Sequence, residues 1–176
     1  MASSKDFDAP SDRTLSPQAL NRAMLEAVEF IHSEGWDAPP TLFGLVPAEL
    51  IEQHIPEEDT SPLALVVQDG LPTHISGGSE ELGDYLSRIT WPQEVVGAVL
   101  AQEIMFKDAA SDAPTAREAR LFSGVLREGA ELTLLQIKPT EEELDAAGAF
   151  ADDNIELRGG PGIAPGVIAA LRATLD

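Results

Sequence analysis

The chain contains no cysteine, only 3 histidines, and 11 Lys and Arg against 31 Asp and Glu. Without cysteine there is no disulfide framework, no thiol nucleophile and no thiolate metal site. The histidines, His32, His54 and His74, include no pair three or four apart, and H-E-x-x-H does not occur. A two-histidine metal motif on one helix face is therefore excluded. The scarcity of positive charge leaves a formal net charge of −20. Such a chain repels phosphate, which argues against nucleic acid and anionic membranes, while it suits a basic partner or a divalent cation. No apolar run approaches the ~20 residues of a membrane span. Met1–Asp6 lacks the apolar core of a signal peptide, so the expected setting is the cytoplasm.

What is present suits one globular domain. The 176 residues are 43% hydrophobic and 24% charged, enough to bury a core. Residues 1–14 read as a polar flexible tail, and 15–176 as a single domain. Ser16-Pro17 opens a helix, with Ser as N-cap and Pro at the first turn, and Gly35 closes it. Leu20, Met24, Val28 and Ile31 form its buried stripe. Gly35–Pro40 is a rigid turn. Thr41–Val46 reads as a strand too apolar for a wet edge, and a short helix is expected at Ala48–His54. Leu63–Val67 reads as a further strand. Ser79 caps a helix bearing Leu82, Leu86 and Ile89. Thr140 and Glu143 make a capping box for a helix over 141–149. Ile155–Leu157 reads as a very short strand, Gly159–Gly162 as a flexible lead-in, and Pro165–Leu175 as the last helix.

The organising stretch is Val95–Lys138, a three-stranded antiparallel meander. With a two-residue turn at Glu128-Gly129, Arg127 would face Ala130. Alternation then places Leu121, Ser123, Val125, Leu132, Leu134 and Gln136 on one face. Arg120, Phe122, Gly124, Leu126, Glu131, Thr133, Leu135 and Ile137 fall on the other. Neither face is cleanly polar, so both need cover. Self-cover is the plain expectation; a protein partner or homodimer is the sharper one. The expected interaction face is Arg120, Phe122, Leu135 and Ile137, with Trp36, Trp91 and Pro92 as structural residues, Trp36 packing as core at its junction.

No motif carries chemistry. Asp152-Asp153-Asn154 with Glu156 lacks calcium-loop spacing. Gly159–Gly162 precedes a helix but has no Lys-Ser/Thr after it. G-x-S-x-G does not occur, and Ser123 falls mid-strand. The sequence implies no catalytic, cofactor-binding or metal-binding residue and leaves enzymatic activity open. The basic residues are more informative: Lys107, Arg117, Arg120, Arg127 and Lys138 all gather in or beside the meander. Their expected partners are Glu103, Glu118, Glu128 and Glu131, and a small anion-binding patch is the sharper reading.

Four blocks carry a family resemblance: Gly35–Val46, Ile89–Gly97, Ala119–Gly129 and Ile163–Leu171. They resemble those of a small actinobacterial family of uncharacterised single-domain acidic proteins. The resemblance implies a bacterial cytoplasmic protein of one domain and brings no active site with it. The fold expected is α+β, an antiparallel sheet with the central meander packed by N- and C-terminal helices. The function expected is a non-enzymatic interaction or chaperone-like domain. The alternative is a small-ligand or metal-dependent enzyme using carboxylates and a histidine near Trp36 and Trp91.

Overall fold

The structure is a computed structural model that describes residues 16–48, 62–68, 75–77, 79–106, 117–127, 129–139, 142, 145, 157–160 and 162–175. The expected tail, the 107–114 loop, the turn at Asp152, and His54 and His74 lie outside the described residues. So do nearly all of the short helix after Ala48 and of the 141–149 helix, although Glu142 and Asp145 are helical.

Helix α1, Pro17–Glu34, begins as its sequence requires. The Ser16 side chain accepts a hydrogen bond from the Ala19 N–H at 3.0 Å, Pro17 occupies the first turn, and Gly35 is the C-cap. Its apolar stripe lies on a six-stranded antiparallel sheet: β1 Thr41–Pro47, β2 Leu63–Val67, β3 Gly97–Phe106, β4 Arg117–Leu126, β5 Glu131–Ile137 and β6 Arg158–Gly160. The spatial order is β2-β1-β3-β4-β5-β6. The meander is thus the sheet centre, and β1 is an interior strand, as its apolar sequence demands. Two further helices, α2 Glu80–Leu86 and α3 Pro165–Thr174, cover the opposite face. The fold is α+β, with the N- and C-terminal helices packed on opposite sides of the sheet.

Two cores result. Between α1 and the sheet, Leu20, Met24, Val28 and Ile31 meet Phe43, Val99, Phe122 and Leu126. The helix sits close because Gly124 is bare: a Cβ there would lie 2.5 Å from Met24 Sδ. Beneath α2 and α3, Leu82, Leu86, Ile168 and Leu171 meet Leu42, Ala98, Leu100 and Val125. Burying each large side chain contributes roughly 1.5–3 kcal/mol. The two apolar sheet faces therefore belong to two internal layers.

The hairpin corrects the expected register. Leu126 N–H donates to Ala130 O at 3.0 Å and Val125 pairs with Glu131, so the loop has three residues, 127–129. Gly129 takes a left-handed φ of 81°, as the last position of such loops favours. One added loop residue turns β5 over. Gln136 now lies beside Arg120, and Leu134 beside Phe122. Leu135 and Ile137 move to the α3 side, away from Arg120 and Phe122.

The glycines read as a lead-in are also corrected. Gly159 and Gly160 belong to β6, paired with β5. Gly159 has φ 140°, and a Cβ there would sit 2.0 Å from Thr133 O. Only glycine permits that approach. Among the described residues, no helix is long and apolar enough to cross a membrane.

Candidate ligand site

The four residues expected to share an interaction face do not share one. Phe122 is fully buried under α1, Arg120 is buried on that same side, and Leu135 and Ile137 are half-buried on the other. The register instead assembles a different group at the end of the meander remote from its hairpin. Cross-strand pairing sets Glu103 opposite Arg120, Arg120 opposite Gln136, and Met105 opposite Glu118. All five point to the α1 side, just beyond the helix C-terminus. There the chain turns through Gly35-Trp36-Asp37-Ala38 and lays an indole over the row.

Each contact of this corner has a local cause. Asp37 holds the turn with φ 69°, a conformation that Asp tolerates better than most residues. Glu103 clamps the turn from β3: Asp37 N–H donates to its Oε1 at 3.1 Å and Ala38 N–H to its Oε2 at 3.0 Å. The Arg120 Cζ lies 4.0 Å from the Trp36 ring centroid, and Lys138 Nζ lies 5.5 Å from it. A cation over an indole contributes about 0.5–2 kcal/mol, more when water is excluded. Trp36 thus stands at the junction as expected, but half-buried over cations rather than inside the apolar core. Lys138 also pairs with Glu118 at 3.2 Å, and Arg117 Nη2 donates to Lys138 O at 2.6 Å.

Arg120 is the anomaly. Only 1% of the residue is exposed. Its Nη1 donates to Gln136 Oε1 at 3.1 Å, while buried Nε and Nη2 have no acceptor. Those two N–H groups form one edge of the planar guanidinium, the edge that takes both oxygens of a carboxylate side-on. Burial pushes the Arg120 pKa down and the Glu103 charge pushes it back up; a guanidinium stays protonated throughout. A buried charge with bare donors is costly, about 1–3 kcal/mol for each unmet group. An oxyanion on that edge would remove the cost.

Asp37, Glu103 and Glu118 bring carboxylate oxygens within 4.8 Å of one another. By donor type they could hold a hard divalent cation. Two features oppose it: both Glu103 oxygens already accept backbone N–H bonds, and Glu118 is paired with Lys138. The other residues weighed for chemistry offer less. Ser123 is fully buried in mid-strand, its Oγ without a hydrogen-bond partner. Trp91 packs over Gly44, and its Nε1 donates to Thr174 Oγ1 at 2.9 Å. Pro92 O accepts from Arg127 Nη2 at 2.9 Å.

Sequence reading found Arg120 and named Glu103 and Glu118 as partners for the basic residues, but missed Gln136 and Asp37. The signal for Gln136 was Gly129 itself, which marks a three-residue loop and sets Arg120 against Gln136. A family model described as PPA1309-like protein matches residues 20–176. No curated protein and no solved structure matches the chain.

Proposed function

We propose that this chain, which belongs to the PPA1309-like protein family, is a non-enzymatic binding domain that captures a carboxylate on the acceptor-free edge of Arg120. One observation carries this: the buried Nε–Nη2 edge has no acceptor while Nη1 is fixed by Gln136 and the ring plane by Trp36. Gln136 keeps the guanidinium oriented when the cover moves, so the cost to the receptor is that of displacing Trp36 rather than of ordering Arg120. Access requires the Trp36 turn to lift, since both bare donors are covered. The site binds without reacting, because Glu103 is engaged by backbone N–H groups and Glu118 by Lys138, so neither is free to serve as a base.

The test is a thermal-shift panel of small carboxylates, with and without an amino group, on the wild type and on Arg120→Met. Arg120→Met keeps a similar apolar stem, so it should remain folded. At least one carboxylate should raise the wild-type Tm and leave Arg120→Met unmoved. If none distinguishes the two proteins, the reading fails.

A second reading rests on edge strand β2. Its sequence is Leu-Ala-Leu-Val-Val, and Val66 and Val67 are 41% and 40% exposed. No strand among the described residues pairs with its outer edge. An uncharged apolar edge of this kind is a template for strand addition. The occupant proposed is a second copy, joined antiparallel through β2. Two chains of −20 repel, so the dimer fraction in sedimentation should rise with salt and fall in Val66→Lys. A monomer at every salt concentration would exclude it.

A further inference from the structure

The carboxylate-capture reading leaves one electrostatic difficulty, and its resolution names the ligand. Three carboxylates converge beside the same guanidinium, with oxygens within 4.8 Å of one another. They face two cations, Arg120 and Lys138, and Lys138 is already paired with Glu118. A simple anion that reached Arg120 would lie beside three carboxylates, in a chain carrying −20 overall. A simple cation that reached the carboxylates would meet Arg120. A ligand bearing both charges a short distance apart satisfies both.

We infer that the corner is a receptor for a zwitterion, a free α-amino acid. Its carboxylate bridges Arg120 Nε and Nη2, and its ammonium lies among Asp37, Glu103 and Glu118. The inference rests on the carboxylate-capture reading and adds the second charge to it.

The spacing supports this. Glu103 and Arg120 are directly opposed across β3 and β4, where Cβ atoms lie about 4.5–5.5 Å apart. An α-amino acid separates its two charges by a single carbon, a short ligand suited to two oppositely charged side chains on neighbouring strands. An ammonium has three donors; it would share Glu118 with Lys138 and compete with the Asp37 and Ala38 N–H groups for Glu103. Glu103 links ligand to lid. Its two oxygens hold Asp37 and Ala38, the residues that follow Trp36. An ammonium that competes for those oxygens loosens the turn that covers Arg120. Binding and opening of the cover are then one event. The side chain of the amino acid would project past Trp36, whose ring offers a face to an apolar or planar group.

The experiment uses matched probes on the full chain by titration calorimetry: glycine against acetate and methylamine, and alanine against propionate. The amino acids should bind at least tenfold more tightly than the acid or the amine alone. Arg120→Met and Arg120→Lys should each weaken glycine at least tenfold, because neither offers the two-pronged edge. Glu103→Gln should weaken glycine severalfold while leaving acetate unchanged or tighter. A Trp91→Phe background makes Trp36 the reporting indole, and its emission should change with glycine. If acetate and propionate match or exceed their amino counterparts, the zwitterion inference falls and carboxylate capture survives. If no probe binds and the carboxylate panel is also silent, both fall.

Discussion

The two ends of the meander hold similar parts in opposite states. At the hairpin end, every nitrogen of the Arg127 side chain donates to a backbone carbonyl: Nε to Val95, Nη2 to Pro92 and Nη1 to Leu175. Arg172 reaches from α3 to Leu126 O and Gly129 O and sits 3.7 Å from Glu131. Trp91 beside them is tied by its own N–H to Thr174. At the remote end, Arg120 has one side-chain acceptor and two bare donors, and Trp36 rests on it by ring contact. The difference lies in the acceptors. The hairpin end supplies carbonyls from a helix terminus and a loop, which cannot leave. The remote end supplies side chains already engaged elsewhere. The first arrangement fastens structure and the second leaves two buried donors unmet.

The sharpest way to break this contrast is to exchange stem for charge at each end. Arg127→Met removes three charge-assisted bonds that fasten the 92–95 loop and the end of α3 to the hairpin. It should cost about 3 kcal/mol, or roughly 6–12 °C in Tm for a chain of this size. At the other end, Arg120→Met with Gln136→Leu removes a buried charge together with its one side-chain acceptor. Replacing a poorly satisfied buried ionic group by apolar side chains is often stabilising, so a gain of about 1–2 kcal/mol is expected. Opposite signs by denaturant titration sustain the contrast. A loss at both ends would mean that Arg120 is a fastening like Arg127.

The tryptophans give a smaller version of the same test. Trp91→Phe loses the bond to Thr174 and the far ring atoms that meet Gly44, at a cost of about 1–2 kcal/mol. Trp36→Phe keeps a ring over Arg120 with a weaker quadrupole and should cost about 0.5 kcal/mol. Equal losses, measured by chemical denaturation, would deny the two ends their difference.

How far these ends could be read from sequence follows the range of the signals. Ser16-Pro17, Gly35 and Ser79 act within one helical turn, so the limits of α1 and the start of α2 were legible. The meander was legible because alternation within each strand is local too. The register was not, because it hung on whether the loop is the two residues 128–129 or the three residues 127–129. The Gly159 strand was not, because glycine reads as loop until a close neighbour such as Thr133 O is known. The corner was least legible of all. The Glu103 bonds to the Trp36 turn span 66 and 65 residues, and three strands must be in register before Glu103, Arg120 and Gln136 meet. The apolar character of both sheet faces was read correctly. α1 accounts for one and α2 with α3 for the other, so it gives no evidence of an outside partner.

The smallest expected effect calibrates the contrast against an ordinary surface charge. Glu26 on α1 is half-buried, with Arg22 at 3.9 Å. Burial raises its pKa, Arg22 lowers it, and Glu29 raises it further, with the net shift upward. A carboxyl with a raised folded-state pKa binds more protons in the folded than in the unfolded chain. Its ionisation therefore opposes folding fully above the folded-state pKa, and the penalty fades as pH falls through that value to below the unfolded one. Glu26→Gln should accordingly stabilise slightly at neutral pH and lose that advantage in acid. The screened position keeps the change small, and added salt should not remove it, because burial rather than a neighbouring charge is the main cause. A Glu26→Gln variant less stable than wild type at neutral pH, with the deficit fading in acid, would reverse the assignment. It would mean that the Arg22 pair, not burial, governs this carboxylate.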